Sequence, residues 1–148
     1  MAVQITGNLA QAKALIERLR ADKDKAVYIG FPAEFDEPVE GAKNFNLASL
    51  AAVLEFGNER IPSRPFLRQT LSKNQGKYTA LFTQLFKQGL QIERIYEQLA
   101  LVAQGDVQLN ITRGNWVANA KSTIKQKGSS KPLIDTGKMR QSVKGIVK

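Results

Sequence analysis

The chain has 148 residues, 43% of them hydrophobic and 24% charged, which suits one domain with a core of its own. It contains no cysteine and no histidine, which removes disulfide frameworks, thiolate chemistry, the usual general base and the commonest zinc ligand. The net charge of +9 is uneven: residues 111–148 hold nine Lys or Arg against Asp135 alone, while residues 31–45 hold Glu34, Asp36, Glu37 and Glu40 against Lys43.

Asn8 or Thr6 is placed to cap a first helix, in which Leu9, Ala12, Leu15, Ile16 and Leu19 recur at helical spacing. Asp22–Lys25 is a polar turn, and Ala26–Phe31 reads as a short β-rich strand. Residues 31–45 carry Pro32, Pro38 and Gly41 among the acids and read as a mobile acidic loop. Asn46 is a good N-cap for a helix over 47–56, with Gly57 where the C′ residue favours left-handed backbone. Ile61 and Ser63 precede prolines, so 58–64 is a constrained connection, and Pro65 suits the first position of a new helix.

From Pro65 to about Asn110 the pattern is helical. Leu67, Leu71, Tyr78, Leu81, Phe82, Leu85 and Phe86 form one stripe; Ile92, Ile95, Leu99, Val102 and Leu109 form a second. Gly76, Gly89 and Gly105 argue against one unbroken rod, with Gly89 the expected break. Residues 113–116 are a turn candidate, and 119–131 are polar and basic. Thr136 is placed to cap a short turn near Lys138–Gln141, and Ser142–Val147 alternates like an edge strand able to pair with 26–31. No apolar run approaches the roughly 20 residues of a membrane span, and the N-terminus lacks the pattern of a signal peptide. A cytoplasmic product is expected.

Asp135-Thr136-Gly137 has the letters of an aspartic-protease turn. That chemistry needs two carboxylates sharing a proton, and the chain has one copy, set among cations that keep the aspartate ionised. A local turn is the simpler reading. The acids of 31–45 show no scaffolded metal-ligand spacing, and the isolated glycines make no phosphate loop. Trp116 is the one aromatic residue of 111–148, so a core role outweighs a base-stacking one. Arg64 lies between two proline-stiffened dipeptides, which presents its guanidinium at little ordering cost. Glu55, the carbonyls ending the 47–56 helix and a neighbouring subunit are all candidate partners for it.

The order of Glu55-Phe56-Gly57, then Ile61-Pro62-Ser63-Arg64-Pro65-Phe66-Leu67, a long helical middle, Asn119-Ala120-Lys121-Ser122-Thr123-Ile124 with Lys127-Gly128, and Lys131-Pro132-Leu133-Ile134-Asp135-Thr136-Gly137 resembles the tailed-phage virion morphogenesis proteins, also called tail completion, neck or head–tail joining proteins. The resemblance covers roughly residues 45–145. It implies a non-enzymatic virion part, without cofactor or metal. It implies a ring of identical subunits, commonly a hexamer in that family, joining tail tube or terminator to the head connector. The protein would sit in the virion neck, and in the host cytoplasm during assembly. It marks Arg64, Pro65, Phe66, Asp135, Thr136 and Gly137 as architectural positions, and the local turn chemistry adds Gly57 and Pro62.

The expected fold is α+β: one domain over 1–148, with long central helices on a small antiparallel sheet, the mobile acidic loop, and a basic, partly flexible segment over 111–148. Arg64, Lys121, Lys125, Lys127, Lys131, Lys138 and Arg140 are the candidates for contact with partners, including non-specific contact with DNA in the neck lumen. The acidic loop and basic segment suit head-to-tail docking between copies. A small basic nucleic-acid-binding protein is the alternative reading.

Overall fold

Asn8 opens the first helix as its sequence position predicts: its side chain accepts from the Ala10 N–H at 2.9 Å, and α1 runs Leu9–Ala21. The computed structural model describes residues 8–39, 41–127 and 137–148. After α1 come β1 (Val27–Gly30), α2 (Leu47–Phe56), α3 (Phe66–Lys73), α4 (Gln75–Lys87), α5 (Ile92–Arg113), α6 (Lys121–Lys127), α7 (Lys138–Ser142) and β2 (Lys144–Val147). This is a small α+β domain. The pairing expected between the two chain ends is present: β1 and β2 are antiparallel, with Tyr28 opposite Ile146.

The central element is α5, 22 residues and about 33 Å long at 1.5 Å per residue. Its buried face repeats at helical spacing: Ile92, Ile95, Ala100, Ala103, Val107 and Ile111. This stripe differs from the expected one at its end, where Leu109 is 49% exposed. The N-terminal half of α5 packs with α4 around Leu85, Ile92 and Ile95. The C-terminal half closes the main core with Leu47, Ala51, Phe66, Met139 and Val143. Between the two halves the small side chains Ala100 and Ala103 let the sheet lie close. Gly145 approaches so nearly that a Cβ there would overlap the Ala100 carbonyl, and its N–H donates to Gln104 Oε1 at 2.9 Å.

The helical middle breaks twice. Gly89 is one break, in left-handed backbone at φ +86°, as expected. Asn74 is the other. It ends α3 and starts α4, and its side chain donates to the Thr70 carbonyl at 2.8 Å, an alternative to continuing the helix ladder. Gly76 and Gly105 lie within helices. Pro65 is one position earlier than expected, as the N-cap of α3. Gly137 rather than Thr136 is the N-cap of α7; Thr136 lies outside the described residues.

The acidic segment, expected as a mobile loop, carries local structure among its described residues. Residues 33–35 form a 3-10 turn, Pro38 bridges to Asn46, and Asp36 accepts from the Ala48 N–H at 3.1 Å. The basic segment is likewise no free arm over 137–148: Met139 and Val143 enter the main core and β2 completes the sheet. The alternating pattern of 142–147 carries both a core residue and a strand, which a reading of net charge alone obscures.

Candidate functional site

The stretch from Glu55 to Leu67 folds into one joint between α2 and α3. Gly57 turns the chain at φ +70°, and a Cβ there would lie 2.6 Å from the Ser63 amide nitrogen. The returning chain is held by the Arg64 N–H donating to Leu54 O at 2.7 Å and by Ser63 Oγ donating to Glu55 O at 2.7 Å. Glu55, only 3% exposed, then caps α3 from outside. It accepts from the Leu67 and Arg68 N–H groups at 2.9 and 3.0 Å, and from Arg68 Nε at 2.9 Å. A carboxylate at exposed helix donors satisfies orphan N–H groups and meets the positive end of the helix dipole. Arg68 also lies over the exposed Phe56 ring, 4.9 Å from its centre.

Arg68 therefore takes the Glu55 partnership that the sequence offered to Arg64. The reason is position: Arg68 lies in the first turn of α3 and is itself one of the two residues whose N–H groups Glu55 caps, so its side chain starts beside the carboxylate. Arg64 is buried, 3% exposed, and faces the other way. Its Nε donates to Val117 O at 2.8 Å, and its Nη2 to Ala118 O and Asn119 Oδ1, each at 3.2 Å. It ties the joint to the chain leaving α5. Burial lowers its pKa from the ordinary guanidinium value. Phe66 is fully buried and meets Phe31 edge-on, centroids 6.4 Å apart. Pro62 stays exposed on the connection. Trp116 packs against the main core and donates to Asn110 O at 3.1 Å, in keeping with a core role.

The basic candidates separate. Lys121 and Lys125 are exposed on α6, and Lys138 is exposed at the start of α7; Lys127 closes α6. Lys131, Asp135 and Thr136 lie outside the described residues. Arg140 is half-buried and used within the chain: Nη1 donates to Thr112 Oγ1, and its carbonyl accepts from Gln108 Nε2, both at 3.1 Å. Its side chain ties α7 to α5. The acidic and basic segments also meet in one subunit. Glu34, Asp36 and Glu37 share a shallow depression with Lys138 and Lys144, and the Lys144 ammonium lies 5.7 Å from the Phe35 ring centre.

Beside the joint is an apolar groove of about 780 Å³ that sequence reasoning missed. Its walls come from four separate segments, among them Val39, Phe45, Leu50, Leu54, Ile61 and Met139, with Arg60, Arg64 and Asn119 along one side. No single stretch of sequence carries its signal. Among the described residues, no group of three or more His, Cys, Asp or Glu could hold a metal ion, and no helix is long and apolar enough to cross a membrane. No family model matches the chain, and no curated protein or solved structure gives a significant match.

Proposed function

We propose that the chain is a structural subunit of a tailed-phage particle that completes the tail and joins it to the head. The observation that supports this reading most is the joint itself. The residues on which the resemblance rests, Glu55, Gly57, Ser63 and Arg64, form one interlocked device that fixes α2, α3 and the chain after α5. Their polar groups are used in holding shape, as an assembly subunit requires for presenting surfaces at fixed angles. In a ring each copy meets the next through two different faces, and rigid joints keep the closing angle constant. Exposed Lys121 and Lys125 on α6 are left to meet an acidic protein surface or the DNA that passes through a neck.

The test is genetic and visual. Deleting the gene from its phage or prophage and imaging the lysate should give filled heads and finished tails that remain separate, with joining restored by the wild-type chain. Normal, infectious particles from the deletion would sink the proposal. Tight, salt-sensitive DNA binding by the isolated chain, together with normal particles, would favour the nucleic-acid-binding alternative.

A further inference from the structure

Two exposed helix faces of this chain match in shape and carry opposite charge. On α1, Leu9, Ala12, Ile16 and Leu19 follow the 3-4-3 spacing of a helix–helix seam, with Leu15 beside them, and all five are exposed. The helix is oriented by Arg18, whose guanidinium is held by Leu90 O, Phe86 O and the Phe86 ring. Arg18 lies roughly 140° around α1 from the seam, at about 100° per residue, so the tether that attaches the helix turns its seam away from the body. Lys13 and Arg20 border the seam on one side. On α5, Leu101 and Leu109 are 67% and 49% exposed, two turns apart. Gly105 lies between them, and among the described residues nothing comes within 4 Å of where its Cβ would be. Two leucines with a glycine hollow between them accept a side chain from a second helix at close approach. One and two turns before Leu101 come Glu97 and Glu93, with side chains 45% and 56% exposed. Their ion pairs with Arg94 and Lys25 are surface pairs, which hold weakly in water and leave the acids able to turn to a neighbour's cations.

From this we infer that α1 of one copy docks on the Leu101–Gly105–Leu109 face of α5 in a second copy, with Lys13 and Arg20 directed toward Glu93 and Glu97. A second α1 is a poorer match for the seam, because it brings the same cations to its border. The exposed rings of Phe56 and Phe35 are poorer matches for the same reason, since Arg68 and Lys144 already lie against them. The contact is head-to-tail: each copy gives α1 to one neighbour and offers α5 to the other, which is the geometry of a ring or an open chain. The inference rests on the assembly reading in one respect, that the occupant is another copy of this chain.

The experiment is sedimentation equilibrium on the full chain over a concentration series. One helix face against another is at the small end of specific interfaces, so association should set in at roughly 10–100 μM. The average mass should rise past that of a dimer, because a head-to-tail contact continues from copy to copy. Ile16→Asp, and separately Leu101→Asp, should each weaken association at least about tenfold. Both positions are exposed, so folding should survive, as circular dichroism can check. Mixed together, the two variants should form a one-to-one dimer and nothing larger, since one intact α1 then meets one intact α5. A wild-type chain that stays monomeric up to about 1 mM, unchanged association in either folded variant, or a mixture that fails to pair would each overturn the inference. Imaging of deletion lysates reads the assembly reading independently: separate heads and tails would uphold it even with this contact refuted.

Discussion

A carboxylate oxygen accepts hydrogen bonds, whereas half of an amide donates them, and the Glu55 site presents only donors. Glu55→Gln would turn an NH2 group toward the N–H groups of Leu67 and Arg68 and remove the charge that Arg68 pairs with. A buried, charge-assisted arrangement of this kind is worth about 2–3 kcal/mol, so the substitution should lower urea-unfolding stability by that amount. A loss below about half a kcal/mol would mean that the joint relaxes around the amide. Tyr78 gives a second handle, through pH. Burial first, and then its hydrogen bond to Asp106 at 2.9 Å, raise its pKa above the ordinary tyrosine value of about 10. A raised folded-state pKa means that the folded chain holds the proton longer than the unfolded one. The stabilisation is fully present below about pH 10 and is lost as pH rises beyond it. Tyr78→Phe should cost about 1–2 kcal/mol near neutral pH and flatten the decline in stability above pH 10, read from denaturant titrations at several pH values.

At the scale of elements, sequence patterns were informative where one residue type dictates one backbone event. Asn8 and Asn46 cap α1 and α2 with their own side chains, Gly57 and Gly89 adopt positive φ, and the alternation after Ser142 yields β2 opposite β1. What escaped depended on which neighbour arrived. Arg64 and Arg68 are equally able to pair with Glu55, and only the turn geometry decides between them. The groove draws its walls from segments far apart in sequence, so it has no period to detect. The spacing of large residues on α5 points to Leu99 and Val102 mid-helix, yet the buried positions there are Ala100 and Ala103, and Ala100 lies directly against Gly145 of β2. Gly145 is the matching half of that contact. Gly145→Ala would press a methyl group into the Ala100 carbonyl of α5, backbone against backbone, with no flexible side chain to yield. Stability should fall by about 2–4 kcal/mol, with protection lost first in β1 and β2. Hydrogen exchange reads both, and an unchanged sheet would refute the tight seat described for β2.

The whole molecule is organised around the length of α5, which places two differently built regions at its ends. At the C-terminal end the main core is closed by α2, α3, α7 and Trp116, and the joint, the groove and the meeting of acidic and basic segments all lie there. At the N-terminal end α1 buries none of its residues, and Leu9, Leu15, Ile16 and Leu19 are 43–71% exposed. What holds α1 is Arg18, which donates to Leu90 O at 2.6 Å and Phe86 O at 3.4 Å and lies 4.2 Å from the centre of the Phe86 ring, together with Lys25 bridging Asp22 and Glu93 just beyond it. Cooperative units separate where few buried apolar contacts join them, so α1 should open independently of the rest. Arg18→Ala removes its main tether while leaving both cores intact. Global stability should therefore change by no more than about 1 kcal/mol, because no apolar core residue is disturbed. The amides of α1 should nevertheless lose their protection, while those of α5 keep theirs. Hydrogen exchange followed residue by residue separates the two outcomes. If the protection of α5 fell together with that of α1, the helix would belong to the folding unit after all, and its exposed apolar face would be the outer side of a single cooperative body.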